Sequence, residues 1–220
     1  MITNKEFVEK AMDIAENYNT VYMWGTFGHV VKDSLIESKA KQYPERYSDS
    51  RQSSLEKLVE KDYWGFDCVG LIKGILWGWN GNRSKSYGGA VYQANGVPDS
   101  SANTIFKKCT EQSSDFSNVE VGEAVWMDGH IGIYVGDGLV VEATNKWKDG
   151  VQITACNCAK TGYNRRDWTK HGKLPYVEYV DEKPTQNIVE ETIQEVINRF
   201  APEIAKTACN EILAKLNNID

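Results

Sequence analysis

Residues 64–76 read WGFDCVGLIKGIL. Asp67 is a favourable helix N-cap, because its carboxylate accepts hydrogen bonds from the unpaired N–H groups of a first helical turn. The apolar run that follows it predicts a buried helix. Gly70 and Gly74 are four residues apart and share one face of this helix, where the absence of side chains permits close packing. Cys68 follows the cap directly, which places it in the first turn.

One amphipathic helix precedes this segment, and a series of strands follows it. The earlier helix covers residues 4–17, with Asn4 or Thr3 as its cap. The later runs are rich in β-branched and aromatic residues, and Asp-Gly pairs separate most of them. Helices followed by an antiparallel sheet predict the α+β class. The predicted strands cover residues 123–127, 130–135, 139–143, 151–154 and 174–179.

Two further segments complete the organisation of the chain. Residues 30–62 are polar and rich in Lys and Glu, and they predict an insertion of one or two surface helices that Pro44 separates. A polar linker over residues 181–186 ends a domain that covers residues 1–180. Residues 187–220 follow and predict a helical tail.

The predicted tail carries a continuous apolar stripe from Val189 to Leu216. Short helices of this kind are marginal in water unless they pack against something. We therefore predict a homo-oligomer that forms through residues 187–217. Packing of the tail onto the preceding domain is the alternative.

Charge and cysteine content narrow the classes of function. The net charge of −6 argues against a nucleic-acid partner, which needs a basic surface. No apolar stretch approaches 18 residues, which argues against membrane insertion. An odd, scattered set of cysteines without Cys-x-x-Cys spacing, in a chain with three His, predicts neither a disulfide framework nor a metal or other cofactor. The cysteines lie at positions 68, 109, 156, 158 and 209.

Cys68 is the candidate nucleophile. A cysteine attacks as the thiolate, and the N–H groups and dipole of a first helical turn lower the pKa of a thiol there. The other cysteines lack such a placement. The alternative role for Cys68 is a small buried side chain in a core helix.

His130 is the candidate base, because it begins a strand with strict alternation. That alternation separates His130 from Ile131 and Ile133, which favour the core. We expect the Cys68 helix on the face that carries His130; a surface histidine on an edge strand is the alternative. His29 and His171 lack this patterned setting, and we predict that both are structural.

Glu142 is the candidate third group that would orient the imidazole. It lies in an apolar run on the next strand, where a carboxylate needs a partner. A two-residue hairpin loop would place Glu142 opposite Ile133 and on the wrong face, whereas a three-residue loop would place it opposite Gly132, on the face of His130. A salt bridge to Lys or Arg is the alternative role for Glu142.

Three segments together resemble the NlpC family of papain-like cell-wall peptidases. Residues 66–72 (FDCVGLI) resemble its Asp-Cys-Ser-Gly-Leu signature, and residues 129–136 (GHIGIYVG) resemble its Gly-His-Val-Gly-Ile-Tyr-Ile-Gly strand. Residues 22–25 (YMWG) resemble its Tyr-Val-Trp-Gly-Gly segment. These motifs occur in family order, and the resemblance covers residues 4–180.

The resemblance implies a papain-like α+β fold, in which N-terminal helices carrying the nucleophile pack on an antiparallel sheet. It implies Cys68 as nucleophile and His130 as base, and it places Tyr22 at the site with a role in the oxyanion hole. We include neighbouring residues as substrate-binding candidates, namely Trp24, Asp67 and Val69.

The chain departs from the family pattern at two of these positions. Val69 replaces the usual Ser after the nucleophile, and that Ser helps to read the substrate in typical members. Glu142 lies twelve residues after His130, where the family usually has His, Asn or Gln. A carboxylate can also orient an imidazole, so we keep Glu142 as the third catalytic residue.

The expected function is peptidoglycan hydrolysis by a Cys-His-Glu thiol mechanism, at a γ-glutamyl–diaminopimelate type bond of the stem peptide. The alternatives are an N-acetylmuramoyl-L-alanine amidase, a thiol acyltransferase and a catalytically dead wall-binding module. Residues 171–176 resemble the end of the catalytic domain in clostridial-type phage endolysins. The N-terminus shows no signal peptide. We therefore expect synthesis in the bacterial cytoplasm, holin-type release and action on the cell wall.

Overall fold

The computed structural model describes residues 1–180, 210, 213 and 214. The chain divides into two compact units, residues 1–180 and residues 181–220. The predicted linker (181–186) lies outside the described residues, as do nearly all of the predicted tail (187–220) and the proposed oligomer contact (187–217). Among the residues described, no helix is long and apolar enough to span a bilayer.

Residues 1–180 mix helices and strands. The predicted helix over residues 4–17 is present and begins with a capping box, in which the Thr3 hydroxyl accepts the Glu6 N–H and the Glu6 carboxylate accepts the Thr3 N–H. The predicted insertion forms two helices on either side of a short turn at Pro44. The helices are α1 (Asn4–Asn17), α2 (Asp33–Gln42), α3 (Asp49–Glu56), α4 (Cys68–Leu76) and α5 (Ala102–Phe106).

The strands form three separate sheets within residues 1–180. They are β1 (Ile2–Thr3), β2 (Thr20–Tyr22), β3 (Phe27–Val30), β4 (Trp64–Phe66), β5 (Thr110–Ser113), β6 (Ala124–Met127), β7 (His130–Gly136), β8 (Leu139–Thr144), β9 (Gly150–Cys156), β10 (Arg165–Arg166), β11 (Lys170–Lys173) and β12 (Val177–Glu178). The main sheet has the order β10-β9-β8-β7-β6-β11-β5 and is antiparallel except between β10 and β9. The smaller sheets have the orders β2-β4-β3 and β1-β12.

Helix α4 is buried along its whole length. It packs in the main core with Ile131 and Ile133 of β7, which are fully buried. The expectation that α4 lies on the His130 face of the sheet is therefore wrong. A helix that is apolar except for Lys73 favours the apolar face of the sheet, because contact with that face removes the most apolar surface from water.

The two glycines of α4 permit a close approach to the end of the loop before β3 and to the first residue of β3. A Cβ at Gly70 would lie 1.9 Å from the Thr26 carbonyl oxygen, and one at Gly74 would lie 2.6 Å from the Phe27 carbonyl oxygen. Neither position has room for a side chain. The contact brings the loop that follows β2 onto the first turns of α4.

The inserted helices build a small core of their own against β2. Their buried side chains pack with Val21 and Met23 on a face that is separate from the main core. The members contributed by the insertion are Val31, Leu35, Ile36, Tyr47 and Leu55. Arg51 of α3 fixes the insertion further, because its guanidinium pairs with Asp149 at 2.5 Å and donates to the Tyr22 carbonyl.

The predicted strand over residues 174–179 is only partly present, because within that range only Val177–Glu178 forms a strand. The last strand of the main sheet is β11, and the chain then turns through Pro175 before the short strand β12. Proline has no N–H to give to a ladder, so it ends the main sheet at this point. Strand β12 pairs in parallel with β1 instead.

Candidate active site

The first turn of α4 holds Cys68 against the loop that follows β2. Asp67 caps the helix, and its Oδ1 accepts the Gly70 N–H at 2.5 Å. Its Oδ2 accepts the Gly25 N–H at 2.7 Å. One buried carboxylate therefore ties the start of α4 to the loop, and it fixes the position of the cysteine between them.

The surroundings of Cys68 keep it in the thiol form. Burial, with a smaller contribution from the Asp67 carboxylate, raises the pKa of the Cys68 thiol to about 12. The N–H groups of Val69, Ile131 and Cys68 itself act in the opposite direction and do not outweigh the burial. The expectation that the helix terminus lowers this pKa is therefore wrong, because the effect of burial is larger than that of the N–H groups. Attack by Cys68 requires a base that takes the thiol proton.

A narrow cleft of about 130 Å³ opens at Cys68. Its walls include Trp24, Val69 and Gly129, the residue before His130. The Ile131 N–H lies against the cysteine sulfur. Gly129 therefore borders the cleft just before β7, and the backbone of β7 reaches the nucleophile candidate.

His130 and Glu142 form a close pair. The imidazole Nε2 lies 2.6 Å from the Glu142 Oε2. The ring stacks on Trp168, with the centroids 5.3 Å apart and the planes at 8°. The stacking and the hydrogen bond together define both the plane and the rotation of the ring, and they leave Nδ1 for another partner.

A β-bulge places Glu142 on the face of His130. The hairpin has a two-residue turn, with Gly136 opposite Leu139. An irregularity just before Gly136 shifts the ladder by one residue, so that Ile133 lies opposite Val141. Glu142 therefore has the register that was expected for a three-residue hairpin loop, but a two-residue turn together with a bulge produces it. Without the bulge Glu142 would face the main core.

Two further side chains hold the Glu142 carboxylate. Arg166 donates its Nε–H at 2.8 Å from Oε1, and the Thr154 hydroxyl donates to the same oxygen at 2.7 Å. Burial would raise the pKa of Glu142, but the hydrogen bonds from His130 and Arg166 hold it below its usual value. Glu142 is thus an ionised, fully buried acceptor, and it both contacts the histidine and forms the salt bridge that the sequence left open as an alternative.

Cys68 lines the cleft, and so does Gly129, the residue before His130, but no hydrogen bond joins the Cys68 and His130 side chains in this structure, which describes both. The structure therefore joins His130 to Glu142 directly, and it places Cys68 next to the start of the histidine strand. Both catalytic hydrogen bonds of a triad need not be present before substrate binds.

No family model matches this chain, and no curated protein does. Solved structures similar to it include NlpC2 from Trichomonas vaginalis, with 13% sequence identity and a TM-score of 0.40 over 77% of this chain and 46% of that one. The peptidoglycan hydrolase RipB from Mycobacterium tuberculosis has 15% identity and a TM-score of 0.40, over 80% of this chain and 67% of that one.

A third similar structure is the P60 domain of an antigen from M. avium subspecies paratuberculosis. It has 15% identity and a TM-score of 0.41, over 80% of this chain and 98% of that one. This chain spans less than half of the NlpC2 chain. Because similarity of this extent assigns neither a fold nor an activity, the function has to be inferred from the residues of the site.

The remaining predicted site residues surround Cys68. Trp24, Asp67 and Val69 line its cleft. Tyr22 lines a different cavity, which shares Trp24 with the cleft, and burial raises its pKa with a smaller contribution from Cys68. Trp24 is held by the insertion, because the Arg46 guanidinium lies 4.1 Å from its ring centroid.

Sequence reasoning missed the residues that support the histidine pair, namely Arg166, Thr154 and Trp168. One signal was available for Arg166, since a buried carboxylate in an apolar strand needs a cation, but nothing local indicates which one. Within the part of the chain that the structure describes, no three His, Cys, Asp or Glu side chains converge as metal ligands would.

Proposed function

We propose that this chain is a papain-like cysteine hydrolase that cleaves an amide bond of peptidoglycan stem peptides. Two observations carry the proposal: Gly129 borders the cleft at Cys68 directly before His130, and the Glu142 carboxylate lies 2.6 Å from the His130 imidazole. The substrate class rests on the resemblance of the three motifs to the NlpC family.

The proposed reaction begins with a neutral thiol. His130 Nδ1 accepts the proton of Cys68 while the sulfur forms a bond to the amide carbonyl carbon. The Cys68 N–H and the Tyr22 hydroxyl are the candidate donors to the oxyanion. Collapse of the tetrahedral intermediate breaks the C–N bond, and the amine leaves with the imidazolium proton. Water then hydrolyses the thioester, with His130 again as base.

Glu142 and its partners keep the imidazole ready for both proton transfers. The carboxylate stabilises the imidazolium that forms, and the fixed charge of Arg166 keeps the carboxylate ionised. Val69 gives the cleft an apolar wall where a typical family member would offer a hydroxyl. We therefore expect this wall to contact an apolar part of the substrate.

We propose a γ-glutamyl–diaminopimelate type bond as the bond cleaved. An N-acetylmuramoyl-L-alanine amidase would use the same residues on a different amide, and the new chain ends distinguish the two. Hydrolysis at either bond releases one amine and one carboxylate per cut. The resemblance to clostridial-type phage endolysins supports action on the cell wall.

The first test compares two buried cysteines. Cys68→Ala should abolish the release of new amine ends from purified peptidoglycan, while Cys109→Ala should retain it. Cys109 is the matched control, because burial also raises the pKa of its thiol to about 12. Mass spectrometry of the released fragments identifies the bond. Retention of activity in a folded Cys68→Ala protein would exclude the mechanism, and fragments that end in transferred acyl groups would favour the acyltransferase.

A further inference from the structure

A second cavity, of about 510 Å³, opens beside the Cys68 cleft. The two share the walls formed by Trp24, Asp67, Val69 and Ser101. Its volume is in the range of small-molecule binding sites. A substrate that extends from Cys68 past Val69 would therefore enter this cavity.

The acidic groups of the cavity are already compensated. Both Asp67 oxygens accept backbone N–H groups. Asp99 is paired with Lys73 and also accepts the Tyr92 hydroxyl at 2.8 Å. These carboxylates therefore have no strong need for a cationic ligand.

Lys39 lines the cavity and forms no direct ion pair with a described carboxylate, although the charges of Asp67 and Asp99 act on it from nearby. It extends from α2 of the insertion, where its Nζ donates to Gln42 at 3.2 Å and lies 5.7 Å from the Tyr43 ring centroid. Partial burial lowers its pKa, because the ammonium is incompletely solvated. A Cβ at Gly25 would lie 3.3 Å from Nζ, so the charge stands beside the loop that Asp67 ties to α4.

His29 adds a neutral donor to the same cavity. Its Nδ1 accepts the Phe27 N–H at 3.2 Å, which leaves the ring proton on Nε2. Burial lowers the pKa of the imidazole to about 3, so the ring is neutral at physiological pH. Nε2 has no hydrogen-bond partner among residues 1–180. The cavity thus offers a cation without a direct ion pair and an N–H donor without a hydrogen-bond partner.

We propose that this cavity binds a carboxylate-bearing part of the substrate, with Lys39 as its ion-pair partner and His29 Nε2–H as a second donor. The proposal rests on the proposed function, because it names the substrate feature that the same site recognises. A carboxylate would complete the interactions of both groups and hold the peptide so that its scissile amide lies at Cys68. The insertion thereby becomes a determinant of specificity.

The test uses one stem peptide in two forms, with its side carboxylates free or amidated. The wild-type protein should cleave the free form with the lower KM. Lys39→Met keeps the apolar stem over Tyr43 and removes the charge, so it should raise KM for the free form about tenfold with little change in kcat. The preference for the free form should then disappear.

Lys41→Met is the matched control. Lys41 also lies in the last turn of α2, so its positive charge interacts with the C-terminal end of the helix as that of Lys39 does, but its side chain is exposed. It should keep the wild-type preference. An unchanged KM in Lys39→Met, or an equal loss on both peptide forms, would overturn the proposed subsite.

Binding to the Cys68→Ala protein separates this proposal from the proposed function. Calorimetry with the same two peptides needs no turnover. The Cys68→Ala protein should bind the free form more tightly than the amidated form, and adding Lys39→Met should remove that difference. This result would support the subsite even if no form of the protein cleaves peptide. Cleavage by the wild type without any dependence on Lys39 would leave the hydrolase in place and exclude the subsite.

Discussion

The domain contains two histidine–glutamate pairs, and they differ in what surrounds them. His130 contacts Glu142 through Nε2. His171 contacts Glu123 through Nδ1, and its Nε2 lies 2.9 Å from the Asp115 carbonyl oxygen. Both nitrogens of His171 are therefore occupied, and the ring is 2% exposed.

The carboxylates of the two pairs also differ in their partners. Arg166 and Thr154 hold Glu142 ionised. Burial instead raises the pKa of Glu123, and the hydrogen bond from His171 offsets only part of that effect. A histidine that transfers protons needs one nitrogen without a permanent partner, and a carboxylate whose charge does not depend on that histidine alone. Of these two pairs, the one at His130 meets both conditions.

The largest difference between the pairs should appear when each histidine is replaced by glutamine. His130→Gln should lower kcat by about 10³-fold, because it removes the base but leaves a side chain that can hydrogen-bond. His171→Gln should leave kcat of the folded protein near wild type and destabilise it by about 3 kcal/mol, because Glu123 loses a buried partner. Kinetics and urea denaturation of both variants measure the two effects.

Circular dichroism should show both variants folded at low temperature. A His171→Gln protein that is fully stable and inactive would reverse the roles assigned to the pairs. A His130→Gln protein of unchanged activity would return the base to an unidentified group.

The pairs should also give opposite pH dependences of stability. The pKa of Glu142 is lowered from 4.5 in the folded state. Its contribution to the free energy of unfolding is therefore fully present above pH 4.5, and it is lost as the pH falls through the pKa of the folded state. The pKa of Glu123 is raised from 4.5, so the folded state binds its proton more tightly and loses stability as pH rises above 4.5.

The measurement is the free energy of unfolding between pH 3.5 and 7 for the wild type, Glu142→Gln and Glu123→Gln. The difference between wild type and Glu142→Gln should grow with pH. The corresponding difference for Glu123→Gln should shrink with pH. Slopes of the same sign for both would contradict the assigned protonation states.

The smallest effect concerns the rings that support each histidine. His130 stacks on Trp168, whereas His171 lies at 60° to Phe116. The Trp168 Nε1–H is buried without a partner in the structure, so Trp168→Phe loses no hydrogen bond. We expect a loss in kcat/KM of about threefold and unchanged stability. A loss as large as that of His130→Gln would make Trp168 a direct participant in the reaction.

The sequence predicted the elements whose causes are local. Asp67 and the apolar run after it identify the Cys68 helix, and the Asp-Gly pair at residues 137–138 identifies the hairpin turn. The side of the sheet on which α4 packs was predicted wrongly. Strand alternation shows which face of the sheet is apolar, but the element that covers that face is α4, whose residues are apolar except for Lys73.

The register and the support of Glu142 depend on interactions that are not local. The bulge before Gly136 adds one residue to one strand, and the alternation of side chains alone does not show where such a residue lies. Arg166 is 24 residues from Glu142 along the chain and reaches it only through the pairing of β9 with β10. The roles of Cys68, His130 and Glu142 in catalysis stay predictions.

Because of the bulge, the face on which Glu142 lies depends on whether the number of residues in the β7–β8 hairpin is odd or even. Removing one residue there would turn every later side chain of β8 to the opposite face, and it would exchange the catalytic carboxylate candidate for an apolar neighbour. Removing or adding two residues would keep each side chain of β8 on its present face and change only the length of the loop. Descendants of this chain should therefore vary the hairpin in steps of two, and a single-codon deletion there should act like the loss of Glu142 itself.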